Sequence, residues 1–175
     1  MGEDNEIAFG RKARINHCRF TIIRNNCKII IGGGSAIVSN VHFWFQVDNS
    51  CIIIGNDFTM EGGHIAATGG ESIAIGKDCM FSGDDEIRNG DSHSIFDIQT
   101  NKRINHAESV IIRDHVWVKA HVRVLKGVVI PSKSIIGNSS VVTGKFKTEN
   151  ALYSGVPCKI HKEHIDWDRY KIECK

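Results

Sequence analysis

Between Ile112 and Val142 one apolar residue returns at every sixth position: Ile112, Val118, Val124, Ile130, Ile136 and Val142. Four residues after each of the first five stands something small or β-branched, namely Val116, Val122, Val128, Ser134 and Ser140. A helical face repeats near every 3.6 residues and a plain strand every 2, so unbroken sixes fit neither alone. They fit a hexapeptide β-helix, in which each six-residue unit lays down one short flat side and then turns a corner. The repeated apolar residue stacks from coil to coil into a continuous core, and the small residue fits beside it near the corner. The pattern predicts an all-β solenoid of parallel strands.

Upstream the repeat is looser. Ile31-Gly32, Ile54-Gly55 and Ile75-Gly76 recur at intervals of 23 and 21 residues, an 18-residue coil enlarged at its corners. Val38 to Val47, around Phe43, Trp44 and Phe45, makes one flat side. Gly32-Gly33-Gly34 lacks the spacing of a phosphate loop and is read as a corner. Between Arg88 and Glu108 the repeat stops in a polar stretch too long for a corner, and excursions of this kind commonly carry function. After Thr143-Gly144-Lys145 the period fails again. Residues 151–159 then read as an extended exit with a proline turn, and residues 160–173 as a short amphipathic helix through Ile160, Ile165, Trp167 and Tyr170. Such a helix would cap a solenoid whose last coil otherwise exposes its core. The expected organisation is a single domain, 1–175: an N-terminal cap over the polar, basic residues 1–20, coils over 21–145, and a C-terminal extension over 146–175.

Composition narrows the function classes. Lys+Arg 22 against Asp+Glu 20 leaves a formal charge of +2, too balanced for a nucleic-acid binder. No apolar run approaches the roughly 20 residues of a membrane span, and no secretory signal is visible at the start of the chain. A cytoplasmic protein is therefore expected, with its six cysteines as reduced thiols, since none stands at a metal-ligand spacing.

Two residues stand out for chemistry. His93 lies in the polar excursion among Asp91, Ser92, Ser94 and Asp97. An imidazole near its unperturbed pKa of ~6.5 takes a proton from a hydroxyl at neutral pH, and a nearby carboxylate or carbonyl can fix its tautomer. Trp117 immediately precedes a core position, so it points outward, either as a wall for a ligand or as an aromatic packed on another subunit. Metal chemistry is not expected. His115 and His121 are six apart, on different sides of one coil, and His161 with His164 lacks a third convergent ligand.

The sixes, Asp-His-Val-Trp (114–117), Gly-Val-Pro-Cys-Lys (155–159) and the histidine excursion resemble the hexapeptide-repeat acetyltransferases. Asp-Ser-His-Ser-Ile (91–95), Arg-Ile-Asn (103–105) and Asp-His-Val-Trp in succession resemble, more specifically, the polysialic acid and capsular polysaccharide O-acetyltransferases. The resemblance implies a left-handed parallel β-helix, a homotrimer, and acetyl-CoA in a groove between subunits. It implies direct transfer of acetyl to a hydroxyl of a sugar or capsule-type glycan, with His93 as catalytic base and Trp117 in the active site. Its CoA-contacting positions fall on Ala120, Asn138, Thr143, Lys159 and Lys162. The chain departs from the family pattern at Lys119, where a glycine is usual, at Asn138, where a small residue is usual, and at Gly144, where a lysine is usual. Two other readings fit the same coils: a non-catalytic scaffold, and an acetyltransferase for a free sugar or nucleotide sugar.

Overall fold

The computed structural model describes residues 2–171. It is a parallel β-solenoid of about six turns, a left-handed β-helix. Each turn contributes one short strand to each of three flat faces. Face one stacks Glu6–Phe9, Lys28–Ile31, Cys51–Ile54, Ser72–Ile75, Val110–Ile112 and Val129–Ile130. Face two stacks Arg14–Asn16, Ile37–Ser39, Thr59–Met60, Met80–Phe81, Trp117–Val118 and Ile135–Ile136, and ends in Leu152–Ser154 and Lys159–Lys162. Face three stacks Arg19–Ile22, Val41–Phe45, Gly63–Ala67, Asp85–Arg88, Arg123–Val124 and Val141–Val142.

The six repeated apolar residues are all buried, and so are their five small or β-branched companions. The register is direct: Ile31, Ile54, Ile75, Ile112 and Ile130 form one column of face one. Corners force the chain to turn within few residues, and they do so with left-handed backbone. Asn40, Asn49, Asp57, Asp78, Asp84, His115, His121 and Ser139 all have positive φ. Asn, Asp and His tolerate that region better than most residues with a Cβ. Their side chains also ladder the corners together, as where Asp57 Oδ1 accepts from Ser35 N at 2.7 Å and Asn40 Nδ2 donates to Glu61 O at 3.1 Å. His115 and His121 are thus corner residues.

Both ends of the chain differ from the sequence expectation. The first coil starts at Glu6, inside the stretch read as a cap: Ile7, Phe9, Ile15 and Phe20 pair in register with Ile29, Ile31, Val38 and Phe43. The charges of Glu6, Arg14 and Arg19 occupy outward positions, which masked the alternation. With no described coil beneath them, Ile7 and Phe9 are 44% and 48% exposed. At the other end no helix forms over the described part of residues 160–173; residues 172–173 lie outside the described chain. Lys159–Lys162 is instead a strand antiparallel to Leu152–Ser154. His164 then has positive φ, and Asp166 and Asp168 accept hydrogen bonds from Trp167 N and Tyr170 N, local bonds that compete with a helix.

This last segment is a strap folded back over face two and its corner with face one. Trp167, 8% exposed, stacks on His115 with ring centres 4.3 Å apart and donates its indole N–H to His115 O. The Arg169 guanidinium donates to Asp78 Oδ1, Thr59 Oγ1, Asp57 O and Cys79 O, tying two successive coils together. The described cysteines, Cys18, Cys27, Cys51, Cys79 and Cys158, are free thiols, and burial pushes the Cys79 thiol up to about 12. Cys174 lies outside the described residues.

One buried carboxyl sits in the column that holds Val41 two face-three strands away, with Gly63 between them. Asp85 is buried; its Oδ1 accepts from Val122 N at 2.9 Å, while Oδ2 has no hydrogen-bond partner among the described residues. Burial raises its pKa to about 7, against 3.8 for an exposed carboxyl. A raised folded-state pKa means stability that is complete below about pH 4 and is lost as pH rises through about 7. The full shift corresponds to about 4 kcal/mol, an upper bound. Asp85→Asn is therefore expected to melt at a higher temperature than the parent at pH 8 and to lose that advantage at pH 4. Equal melting curves at pH 8 would show that the carboxylate is solvated.

Candidate active site

The excursion leaves face three after Arg88 and rejoins face one at Val110. Its base is closed by Asn89, whose buried carboxamide accepts from Thr68 N and donates to Glu71 O, both at 2.7 Å, while Glu108 N donates to Asn89 O. Its tip is a small hairpin, bridged antiparallel between Phe96 and Arg103 and closed where Asp97 Oδ1 accepts from Gln99 N and Thr100 N. Ile95, Phe96, Ile98 and Ile104 are exposed on it.

His93 lies on the outgoing limb, exposed, in a tight turn where its N–H donates to Asp91 O at 2.7 Å and Ser92 has φ 62. It borders a cleft of about 410 Å³ over the outer surface of face three, lined also by His42, Trp44, Gln46, His64, Arg88 and Ser92. His42 and His64 are adjacent in register and stacked, ring centres 5.0 Å apart, with Trp44 edge-on to His42. Burial holds both imidazoles below the usual histidine range, so they are neutral at pH 7. Arg88 Nη2 donates to Ser92 Oγ at 3.2 Å. His64 Nε2 and Arg88 Nε are buried and have no hydrogen-bond partner among the described residues.

The carboxylate near His93 in sequence does not orient its ring. Asp91 Oδ2 is taken by Lys126 Nζ and by Asn105 Nδ2, and the lysine holds the Asp91 carboxyl below the usual range. Among the described residues the His93 imidazole has no hydrogen-bond partner. His42, Trp44, His64 and Arg88 were not singled out in the sequence. The signal was present, because His42 and His64 are 22 residues apart, one coil of the enlarged upstream repeat.

Trp117 stands elsewhere, on the outer surface of face two between Met80 and Ile135. Lys119 Nζ lies 4.7 Å from its ring centre, so the cation that replaces the family's usual glycine packs on the tryptophan. Trp167 of the strap lies 6.0 Å away, ring centre to ring centre. His93 and Trp117 belong to different faces, and one chain does not bring them together. Ala120 and Asn138 occupy equivalent places on successive coils at the corner of faces two and three, where Ser139 N donates to Ala120 O. Thr143 is exposed one corner further on, past the last strand of face three. Lys159 and Lys162 are exposed on the final strand of face two, with no carboxylate at ion-pair distance among the described residues.

No family model matches the chain. It is 34% identical to the polysialic acid O-acetyltransferase of Neisseria meningitidis, over 97% of this chain and 88% of that protein. Among solved structures it resembles the polySia-specific acetyltransferase NeuO, with TM-score 0.76 and 31% identity over 97% of this chain and 87% of that one. It also resembles the polysialic acid O-acetyltransferase OatWY, with TM-score 0.72 and 29% identity over 99% and 93%.

Proposed function

The chain belongs to the family of the polysialic acid O-acetyltransferases, hexapeptide-repeat acyltransferases, and from that premise we propose that it moves acetyl from acetyl-CoA to a hydroxyl of a surface polysaccharide, with His93 as the base. The observation that carries this reading is the placement of His93: an imidazole free of hydrogen bonds, on the rim of a cleft with an aromatic wall, two neutral imidazoles and an arginine. A sugar ring fits such a lining, with Trp44 for its apolar face and polar groups for its hydroxyls. In the reaction His93 takes the hydroxyl proton as that oxygen attacks the thioester carbonyl. Backbone N–H groups steady the oxyanion, the C–S bond breaks, and the proton passes from the imidazolium to the departing thiolate. Two bound substrates supply the proximity, so no acyl-enzyme is required. A thiol-release assay with acetyl-CoA against glycans, nucleotide sugars, free sugars and amines tests it. Release that depends on a polysaccharide supports the reading, and release only with amines or free sugars overturns it.

The active unit in this reading is a homotrimer with three sites between subunits. Its support is the separation of His93 and Trp117 on different faces of one chain: a site using both requires a second copy. Use of acetyl-CoA, and cysteines kept as thiols, suit the cytoplasm. The nucleotide end of CoA runs towards Lys159 and Lys162, which meet its phosphates as exposed point charges. Changing both to alanine is expected to raise KM for acetyl-CoA several-fold, less so at high salt, and to leave kcat nearly unchanged. A collapse of kcat at constant KM would mean that the cofactor lies the other way round.

A further inference from the structure

We propose that Asn105 is the positioning residue of the excursion, a single carboxamide that fixes the backbone around His93 and leaves its imidazole free to act. The inference rests on the assignment of His93 as the base. Asn105 lies on the returning limb and is 7% exposed, in a loop whose tip is largely open to solvent. Its Nδ2 donates to His93 O at 2.8 Å and to Asp91 Oδ2 at 2.9 Å. Its Oδ1 accepts from Ile95 N at 2.7 Å and from Arg103 Nε at 3.3 Å. The opposite assignment of the amide would set N–H against N–H and oxygen against oxygen, so the network dictates this one. One side chain therefore grips residues 91, 93 and 95, alternate positions centred on the base.

Asp91 passes this hold to the solenoid, because its carboxylate also receives Lys126 Nζ from the corner after Arg123–Val124. The chain of contacts is coil, Lys126, Asp91, Asn105, His93. It also supports Ser92, whose left-handed backbone is a sparsely populated conformation for serine and persists only where its surroundings enforce it. Three of the four bonds go to residues 91, 93 and 95, centred on His93, and the fourth comes from Arg103 at the bridge of the hairpin. Alanine at 105 would release the limb by an ångström or so, a displacement that costs on the order of 10²-fold in rate when the reacting groups must be aligned.

The test is a double-mutant cycle on the full chain, in acetyl transfer to the acceptor found by the thiol-release assay. Asn105→Ala is expected to lower kcat by about 10- to 100-fold while KM for acetyl-CoA stays within about two-fold, because the coils that bind the cofactor are untouched. Combined with His93→Ala it should add little to the loss from His93→Ala alone, since a residue acting through the base has nothing left to position. Lys126→Met, outside the excursion, should give a smaller kcat loss of the same kind, and it serves if Asn105→Ala melts early. Full kcat in both single variants, or losses that add fully to that of His93→Ala, overturns the proposal. A His93→Ala enzyme with normal turnover would instead overturn the assignment of the base.

Discussion

Replacing His93 by alanine is expected to lower turnover by ~10²–10⁴-fold, the range for loss of a general base. The side chain is exposed and makes no hydrogen bond in the described chain, so its removal takes nothing from the core and the melting temperature should not move. KM for acetyl-CoA should not move either, because the candidate cofactor contacts lie on the coils and not on the excursion. With the imidazole gone, a sugar hydroxyl must lose its proton to water, and the remaining rate reflects proximity and oxyanion stabilisation alone. A folded His93→Ala protein with near-normal kcat would remove His93 from the mechanism. His42 and His64, half-buried and neutral beside it, would then be the next imidazoles to replace.

Mixing two inactive variants is expected to restore activity. If a site takes His93 from one subunit and Trp117 from the next, His93→Ala and Trp117→Ala subunits each fail alone. In trimers assembled at random from equal amounts, about one site in four draws its His93 and its Trp117 from intact copies, so about a quarter of the parental activity returns. Co-expression in equal amounts and a rate per subunit of the unfractionated protein give that number, and the mixed species purified on separable tags should show about a third, since each holds one complete site in three. A mixture as inactive as its parts would place both residues in sites served by one chain, and a monomeric mass for the active parent would do the same. The structure makes the experiment sharp, because face two carries Trp117, packed between Lys119 and Trp167, while the His93 cleft lies on face three.

What the sequence by itself determined was the solenoid. A column of buried residues needs one inward side chain per face per turn, and the six from Ile112 to Val142 state that requirement without tertiary help. The corners were legible only where glycines cluster, as at Gly32–Gly34, while those made by Asn, Asp and His came with the structure; the excursion showed itself as the place where the repeat stops. Where the stack begins was not local. Ile7 and Phe9 follow the inward alternation, but charged outward neighbours made the first coil look like a tail, and only its pairing with Lys28–Ile31 shows it to be a coil. The strap was illegible for the same reason, because Arg169 is held by Asp57, Thr59, Asp78 and Cys79, 90 to 112 residues away in the cases of Cys79 and Asp57. His93 was legible as a histidine in a polar excursion. Its neighbours were not, since stacking of coils sets His42, Trp44, His64 and Arg88 beside it, and the returning limb brings in Asn105. Periodicity fixes what a residue does within its own coil; which coil, loop or strap lies against it depends on contacts across the chain, and those only the tertiary structure decides.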